Sequence, residues 1–316
     1  MLPVQVSIIV VNWRSQAAVR RCLGSIWQQT RRVRFEVIVV DNASADGCGA
    51  MLAAEFPSVR LFQNETNVGW VQANNLGVQQ AAGRQLLFLH PDTVLIENSV
   101  EVMARELDLL TGAGAVGCNL LNADRSTQAS CVRAFPTLMN QVLDAEYLHE
   151  RFPDAQLWGR TVLQAKWPRP AQVDVVSGAC LMVRRDAFER LGGFNPAFFV
   201  CGGELDLCFR LKCQGTPAYY LPQTSVIHLG GTHARDVPGG ITNVMVRESV
   251  FRFMLLHRGP VQAYGFRVAM TLTALLRLAL IPPLLPMGKV VVRHGRGSWT
   301  KWMTILRWSV GHTEKR

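Results

Sequence analysis

Along the first part of this chain, apolar runs and polar turns alternate at a spacing that predicts strands and helices in turn. Val6–Val11, apolar but for Ser7, predicts a first strand. Past Asn12-Trp13, Ser15 stands where an N-cap would open a helix with Val19, Cys22, Leu23, Ile26 and Trp27 on one face. Phe35–Val40 predicts a second strand, Val59–Phe62 a third, and Leu86–Leu89 a fourth after a helix through Asn74 and Asn75. A helix near Glu97–Leu110 and a strand near Ala115–Leu120 continue the series. This β-α-β-α order predicts a doubly wound, mostly parallel sheet.

The pattern then changes. Residues 121–172 hold Pro136, Pro153, Pro168 and Pro170 with Trp158 and Trp167, and show little periodicity beyond a helical stretch near Leu138–Leu148. They read as an irregular segment covering one side of a cleft. Val173–Val183 restores order as two apolar runs broken by Ser177-Gly178-Ala179, followed by a helix at Arg185–Leu191. Glu204 and Asp206 then open a helical pattern through Leu205, Cys208, Phe209 and Leu211. The expected division is a catalytic domain over 1–250, with a nucleotide half to about residue 120 and an acceptor half over 121–250, and a helical tail over 251–316.

Chemistry enters at the strand ends, because ligands of open α/β sheets sit at the carboxyl edge. His90-Pro91 stops the fourth strand, so Asp92 is expected on a solvent-facing loop. There it either holds a divalent cation against phosphate oxygens or caps the next helix or an Asx turn with Thr93. Asp41 closes the second strand. Asn12-Trp13-Arg14-Ser15 lacks the G-x-G-x-x-G turn that a dinucleotide fold needs, which leaves a mononucleotide site served by Asp41, Asn12 and Asn67. Glu204 and Asp206 fit either helix capping or removal of a proton from a sugar hydroxyl. His228, at a strand end before Gly230-Gly231, is a metal ligand or a structural histidine.

Composition narrows the classes. With 49% apolar residues, 18% charged and eight cysteines in no CxxC pair, the chain suits a globular protein with reduced thiols, without a zinc finger or disulfide framework. Its net charge of +10 resides in residues 251–316, which hold eleven Lys/Arg and one acid, Glu314. That placement argues against nucleic acid and for a tail meeting an anionic surface. Val6–Val11 is too short for a signal sequence, so a cytosolic start is expected. In the tail, Val268–Leu276 and Leu278–Gly288 are apolar but divided by Arg277 and interrupted by Pro282, Pro283 and Pro286, short of a bilayer span. Trp299, Trp302 and Trp308 among basic residues predict a segment lying in the headgroup region; a helical pair packed on the catalytic domain is the alternative.

Taken together, Val11-Asn12-Trp13, Asp41-Asn42-Ala43-Ser44, Asn67-x-Gly69-Trp70 with Ala73-Asn74, Pro91-Asp92-Thr93, Arg133-Ala-Phe135-Pro136-Thr137, Ser177-Gly178-Ala179, Gly192-Gly193-Phe194, Glu204-x-Asp206-Leu-Cys208-x-Arg210 and His228-x-Gly230-Gly231 carry a resemblance. From Val6 to about Gly231 the chain resembles the family 2 inverting glycosyltransferases of the GT-A type, in their bacterial rhamnosyltransferase-like branch. The resemblance implies a nucleoside-diphosphate sugar donor, with rhamnose favoured, and a saccharide acceptor, lipid-linked, at the inner face of the cytoplasmic membrane during cell-surface polysaccharide assembly. It implies Asp41 as reader of the base and Asn12, Asn67, Gly69, Asn74 and Gly178 as residues of the substrate site. Asp92 and His228 would hold Mg²⁺ or Mn²⁺, and Glu204 would be the base, with Asp206 its rival. Four positions depart from the family: His90 for asparagine, Trp70 for phenylalanine, Cys201 for tyrosine and Gly203 for the first acid of a pair. The loss at Gly203 makes an inactive sugar-binding protein of the same fold the competing reading.

Overall fold

The computed structural model describes residues 3–128, 130–142, 169–230, 241–284 and 289–311. The expected irregular cover around Pro153, Trp158, Trp167 and Pro168 lies outside the described residues, as do Gly231 and Pro286. Two compact units form: Met1–Phe135 with Arg160–Gly230, and Pro136–Gly159 with Gly231–Arg316.

The first unit is built on one sheet. Strands β1 (Val6–Asn12), β2 (Phe35–Asp41), β3 (Arg60–Gln63) and β4 (Gln85–Leu89) lie in the order β3-β2-β1-β4, all parallel. Every residue of β1 and β4 is buried, which is why both read as mainly apolar runs, Ser7, Asn12 and Gln85 being their polar members. The crossovers are helices α1 (Gln16–Gln29), α2 (Cys48–Glu55) and α3 (Gly69–Gln79). Helix α1 buries Val19, Cys22, Leu23 and Ile26 as its spacing predicts. Register matters here: Asn12 pairs across from Asp41, so the loops after β1 and β2 leave the sheet at one level.

The remaining elements of this unit are β5 (Thr93–Leu95), α4 (Ser99–Leu109), β6 (Ala115–Leu121), β7 (Val132–Arg133), β8 (Ala171–Val173), β9 (Val175–Val176), β10 (Cys180–Arg184), α6 (Arg185–Arg190), α7 (Gly203–Cys213) and β11 (Ala218–His228); α5 (Leu138–Val142) falls in the other unit. Strands β10, β6, β11 and β5 extend the sheet beyond β4 in that order, with β8 also on β11. The sheet is mostly parallel as expected, but β10 runs antiparallel to both neighbours, β4 and β6. The fold therefore crosses the expected boundary near residue 120.

Two antiparallel pairings bring later chain to the carboxyl edge. Cys180 at the start of β10 faces Leu89 at the end of β4, so Gly178 and Ala179 arrive beside His90. His228 at the end of β11 faces Thr93 at the start of β5, so it arrives beside Asp92. Midway along β11 the register shifts between Leu221 and Ser225, where Pro222 has no amide proton to offer a ladder. Glu97 Oε1 holds the irregularity by accepting from the Ser225 amide at 2.6 Å and the Thr224 hydroxyl at 3.1 Å.

The second unit packs α8 (Ile241–His257), α9 (Pro260–Leu284) and α10 (Lys289–Ser309) around Phe251, Met254, Phe266 and Trp308, and around Ala274, Leu278, Trp302 and Ile305. Two expectations are corrected. Helix α9 runs unbroken past Arg277 to Leu284, and Pro282 and Pro283, which have no amide proton to donate back along the helix, fall in its last turn. Trp302 and Trp308 are core residues, Trp308 Nε1 donating to Glu248 at 2.9 Å, so they do not face lipid headgroups. Trp299 is exposed on α10 as expected, and a further set of exposed apolar side chains lies on α9: Val261, Tyr264, Val268, Leu272, Leu275 and Leu276 follow one stripe at helical spacing. Among the described residues, no helix is long and apolar enough to cross a membrane.

Candidate active site

The loops after β1 and β2 are tied together by Asn12. Its Nδ2 donates to Asp41 Oδ1 at 2.9 Å and Ser44 Oγ at 3.1 Å and lies 3.2 Å from Asp46 Oδ2, while its Oδ1 accepts from the Ser15 amide and hydroxyl at 3.1 and 2.8 Å. Fully buried and committed on both ends, Asn12 cannot also reach a ligand, and Ser15 spends its hydroxyl on Asn12 and leaves the helix uncapped. Arg14, Ala43 and Ala45 have φ of 52°, 59° and 50°. Non-glycine residues held in that region concentrate at sites where the surroundings fix the backbone. The Asp41 carboxylate makes no second hydrogen bond among the described residues, while its carbonyl accepts from the Asn64 amide at 2.8 Å.

A parallel network positions the α3 entrance. Asn42 Nδ2 donates to Asn67 Oδ1 at 2.7 Å, and Asn67 Oδ1 also accepts from the Gly69 amide at 2.9 Å. Gly69 must be glycine: its φ is 83°, and a Cβ would sit 2.4 Å from the Phe199 carbonyl oxygen. Asn74 turns inward and is buried, Nδ2 donating to the Trp70 carbonyl at 2.8 Å while its Oδ1 has no hydrogen-bond partner among the described residues.

At the end of β4, His90-Pro91-Asp92 forms a turn closed by the Thr93 amide on the His90 carbonyl at 3.0 Å. Asp92 is 1% exposed, which corrects the solvent-facing loop read from sequence, and α4 begins only at Ser99, so Asp92 caps nothing. Its Oδ1 meets His90 Nδ1 and lies 3.2 Å from His228 Nε2. Burial pushes the carboxyl up, but hydrogen bonds from His228 and His90, with their charge, outweigh it and hold Asp92 well below the usual carboxylate range. Asp92 Oδ2 is buried without a hydrogen-bond partner among the described residues.

Gln128 orients His228. Its Nε2 donates to the His228 carbonyl at 2.6 Å, which leaves its Oε1, 3.0 Å from Nδ1, to accept the ring proton. Held so, His228 turns its Nε2 on Asp92 Oδ1 at 3.2 Å, a separation from which both atoms can reach one cation. With the orphaned Oδ2, this donor set fits a divalent metal. Cys22 beneath it is not part of that set: burial pushes its thiol up to about 12.

Glu204 and Asp206 part company on α7. Glu204 faces the Arg133 guanidinium from β7, with Gly178 alongside, where a Cβ would stand 3.5 Å from Glu204 Cβ and 3.4 Å from Trp70 Cη2. Asp206 is fully buried and pairs with Arg210 Nε at 2.6 Å, while that guanidinium also donates to the Leu191 and Gly193 carbonyls at 2.9 and 2.8 Å. Asp206 thus anchors the loop before α7 and is removed from the candidate base position. Position 203 admits no acid, since a Cβ there would lie 2.6 Å from Val71 Cγ2. The segment Gly178-Ala179 joins the two ends of the site: Gly178 lies beside Glu204, whose Cβ a methyl group there would approach to 3.5 Å, and the Ala179 carbonyl accepts from the His90 amide at 2.9 Å. Gln128 and the Arg133 contact were not legible, being a lone glutamine and one arginine in an aperiodic stretch.

Residues 7–192 match the glycosyl transferase family 2 domain. The O-antigen biosynthesis protein RfbC of Myxococcus xanthus is 31% identical over 71% of this chain, which covers 17% of that relative's length. The N-acetylglucosaminyl-diphospho-decaprenol L-rhamnosyltransferase of Mycobacterium tuberculosis is 28% identical over 70% of this chain and 75% of its own. Among solved structures, a Pyrobaculum calidifontis mannosyltransferase in complex with GDP-Man and Mn²⁺ superposes with a TM-score of 0.58 at 17% identity, over 99% of this chain and 90% of that one.

Proposed function

The chain belongs to glycosyl transferase family 2, and from that premise we propose that it transfers a sugar, rhamnose by preference, from a nucleoside-diphosphate donor to a lipid-linked saccharide acceptor in cell-surface polysaccharide assembly. The observation that carries this reading is the link made by Gly178-Ala179, which sets the half-buried His90-Asp92-His228 group and the Glu204 carboxylate at two ends of one strand entrance. One end suits the donor. Asp41 Oδ2 accepts from the base or ribose, and Asn67 with Gly69 shapes the adjoining turn. Bound between Asp92 and His228, Mg²⁺ or Mn²⁺ would offset the charge that grows on the departing diphosphate.

Glu204 serves the other end. It takes the proton of the acceptor hydroxyl as that oxygen attacks the anomeric carbon, which gives inversion in a single displacement. Arg133 fixes the direction in which the carboxylate points, and Trp70 with Gly178 walls its stem. The test uses nucleoside-diphosphate rhamnose and an undecaprenyl-type lipid-linked acceptor. Glu204→Gln keeps the donor-induced rise in melting temperature and lowers turnover by about 10²–10⁴-fold. Unchanged turnover would remove Glu204 from the role. A wild-type protein stabilised by the donor that never releases sugar, to acceptor or to water, would instead be the inactive binding protein.

The finer reading concerns where this happens. The apolar stripe on α9, within a stretch carrying eleven Lys/Arg and one acid, supports a peripheral position on the anionic inner face of the cytoplasmic membrane. A lipid-linked acceptor would be presented there.

A further inference from the structure

We infer that His90 is a third protein ligand of the metal and that the site therefore selects a transition-metal ion over Mg²⁺. The inference rests on the metal reading of Asp92 and His228 and adds a residue and a preference to it. His90 and His228 approach the same carboxylate oxygen from two sides, their rings 5.6 Å apart and at 89°, and one donor atom from each of His90, Asp92 and His228 falls within 4.8 Å of the others. Neither imidazole arrives by accident of a loose loop. The His90 amide is held by Ala179 at 2.9 Å, the Thr93 amide closes the turn on the His90 carbonyl, and the Leu229 amide donates to the Asp92 carbonyl at 3.0 Å. His228 is locked by Gln128 on both its ring and its carbonyl.

Both imidazoles meet Asp92 Oδ1, so a hydrogen-bonding role for His90 accounts for that atom alone and leaves Oδ2 buried and unpartnered among the described residues. A third donor around a shared ion accounts for both atoms of the carboxylate. Two imidazoles and one carboxylate form a borderline-soft donor set, whereas Mg²⁺ keeps to oxygen ligands and gives up its water reluctantly. Affinity along the divalent series rises from Mn²⁺ through Co²⁺ for such nitrogen donors. Three protein ligands also leave coordination positions for donor oxygens. The preference expected is Co²⁺ and Mn²⁺ well ahead of Mg²⁺, set chiefly by His90, since His228 and Asp92 alone resemble a more oxygen-dominated site.

The experiment reads the metal directly, without turnover. Mn²⁺ is added alone to the full-length protein, and binding is followed by loss of the free-ion electron paramagnetic resonance signal. Coordinated histidine nitrogens are then counted by pulsed spectroscopy with ¹⁵N-histidine labelling. The wild type should show two nitrogens, His90→Asn one and His228→Asn one, with thermal unfolding of each variant confirming that it folds. His90→Asn should weaken Mn²⁺ about tenfold or more while leaving Mg²⁺, measured by competition, nearly unchanged, as loss of a single well-placed metal-site residue typically costs 10–100-fold in affinity. One nitrogen in the wild type that survives His90→Asn would overturn the inference and leave the Asp92–His228 site standing. No Mn²⁺ bound to the wild type, with or without nucleoside diphosphate, would overturn both.

Discussion

Two residues apart on one helix, Glu204 and Asp206 meet opposite surroundings, and their spacing alone does not separate them. Glu204 lies against Arg133 at the edge of the site, whereas Asp206 is fully buried against Arg210. Removing one partner of a buried ion pair leaves the other charge uncompensated, and such losses run to about 3–5 kcal/mol. Asp206→Ala is therefore expected to lower the urea midpoint by a shift equivalent to about 3 kcal/mol, and to free the Leu191–Gly193 loop that Arg210 holds. The protein that remains folded should turn over donor almost normally. Full stability with lost turnover would return Asp206 to the chemistry. Asp92 shows the same lesson from the other side: Pro91 marks the strand end correctly, but only the arrival of β11 buries the carboxylate that follows it.

At the scale of elements, the close approach of α3 and α7 explains the missing acid. Gly203 faces Val71 so tightly that a methyl group would stand 2.6 Å from Val71 Cγ2. Gly203→Ala should cost about 1–3 kcal/mol, the usual penalty for overpacking, read as a drop in melting temperature. Adding Val71→Ala should return part of that loss. A Gly203→Ala protein as stable as wild type would mean that α7 shifts freely. Strands β1, β2 and β4 were legible because each is a buried apolar run stopped by a polar turn, and the same turns marked Asp41 and Asp92. The direction of β10 was not, since Cys180–Arg184 reads equally well both ways along a sheet. Strands as short as β7 and β9, two residues each, carry no period to detect, and so the placement of Arg133 beside Glu204 was beyond the sequence.

For the whole molecule, the basic composition of the last residues and the apolar stripe of α9 make one claim about place. Flotation with vesicles rich in phosphatidylglycerol measures it. The full chain should rise with the vesicles at low salt, and a protein carrying Val268→Gln, Leu272→Gln and Leu276→Gln should stay below, with the same helical content. Equal behaviour of the two, floating or not, would remove the stripe from the membrane. The sheet makes a different demand, one of timing. Because β10 separates β4 from β6, the edge of β4 away from β1 and the facing edge of β6 stay open until Arg184 has been synthesised. At about 5–20 residues per second, a ribosome spends several seconds between finishing β6 and finishing β10. Through that interval the nascent chain carries two apolar strand edges with nothing to pair them, the condition under which chains stick to one another. Translation past Arg184 closes those two edges, and only β11, ending at His228, covers the far side of β6 and makes this enzyme safe from its own siblings on the polysome.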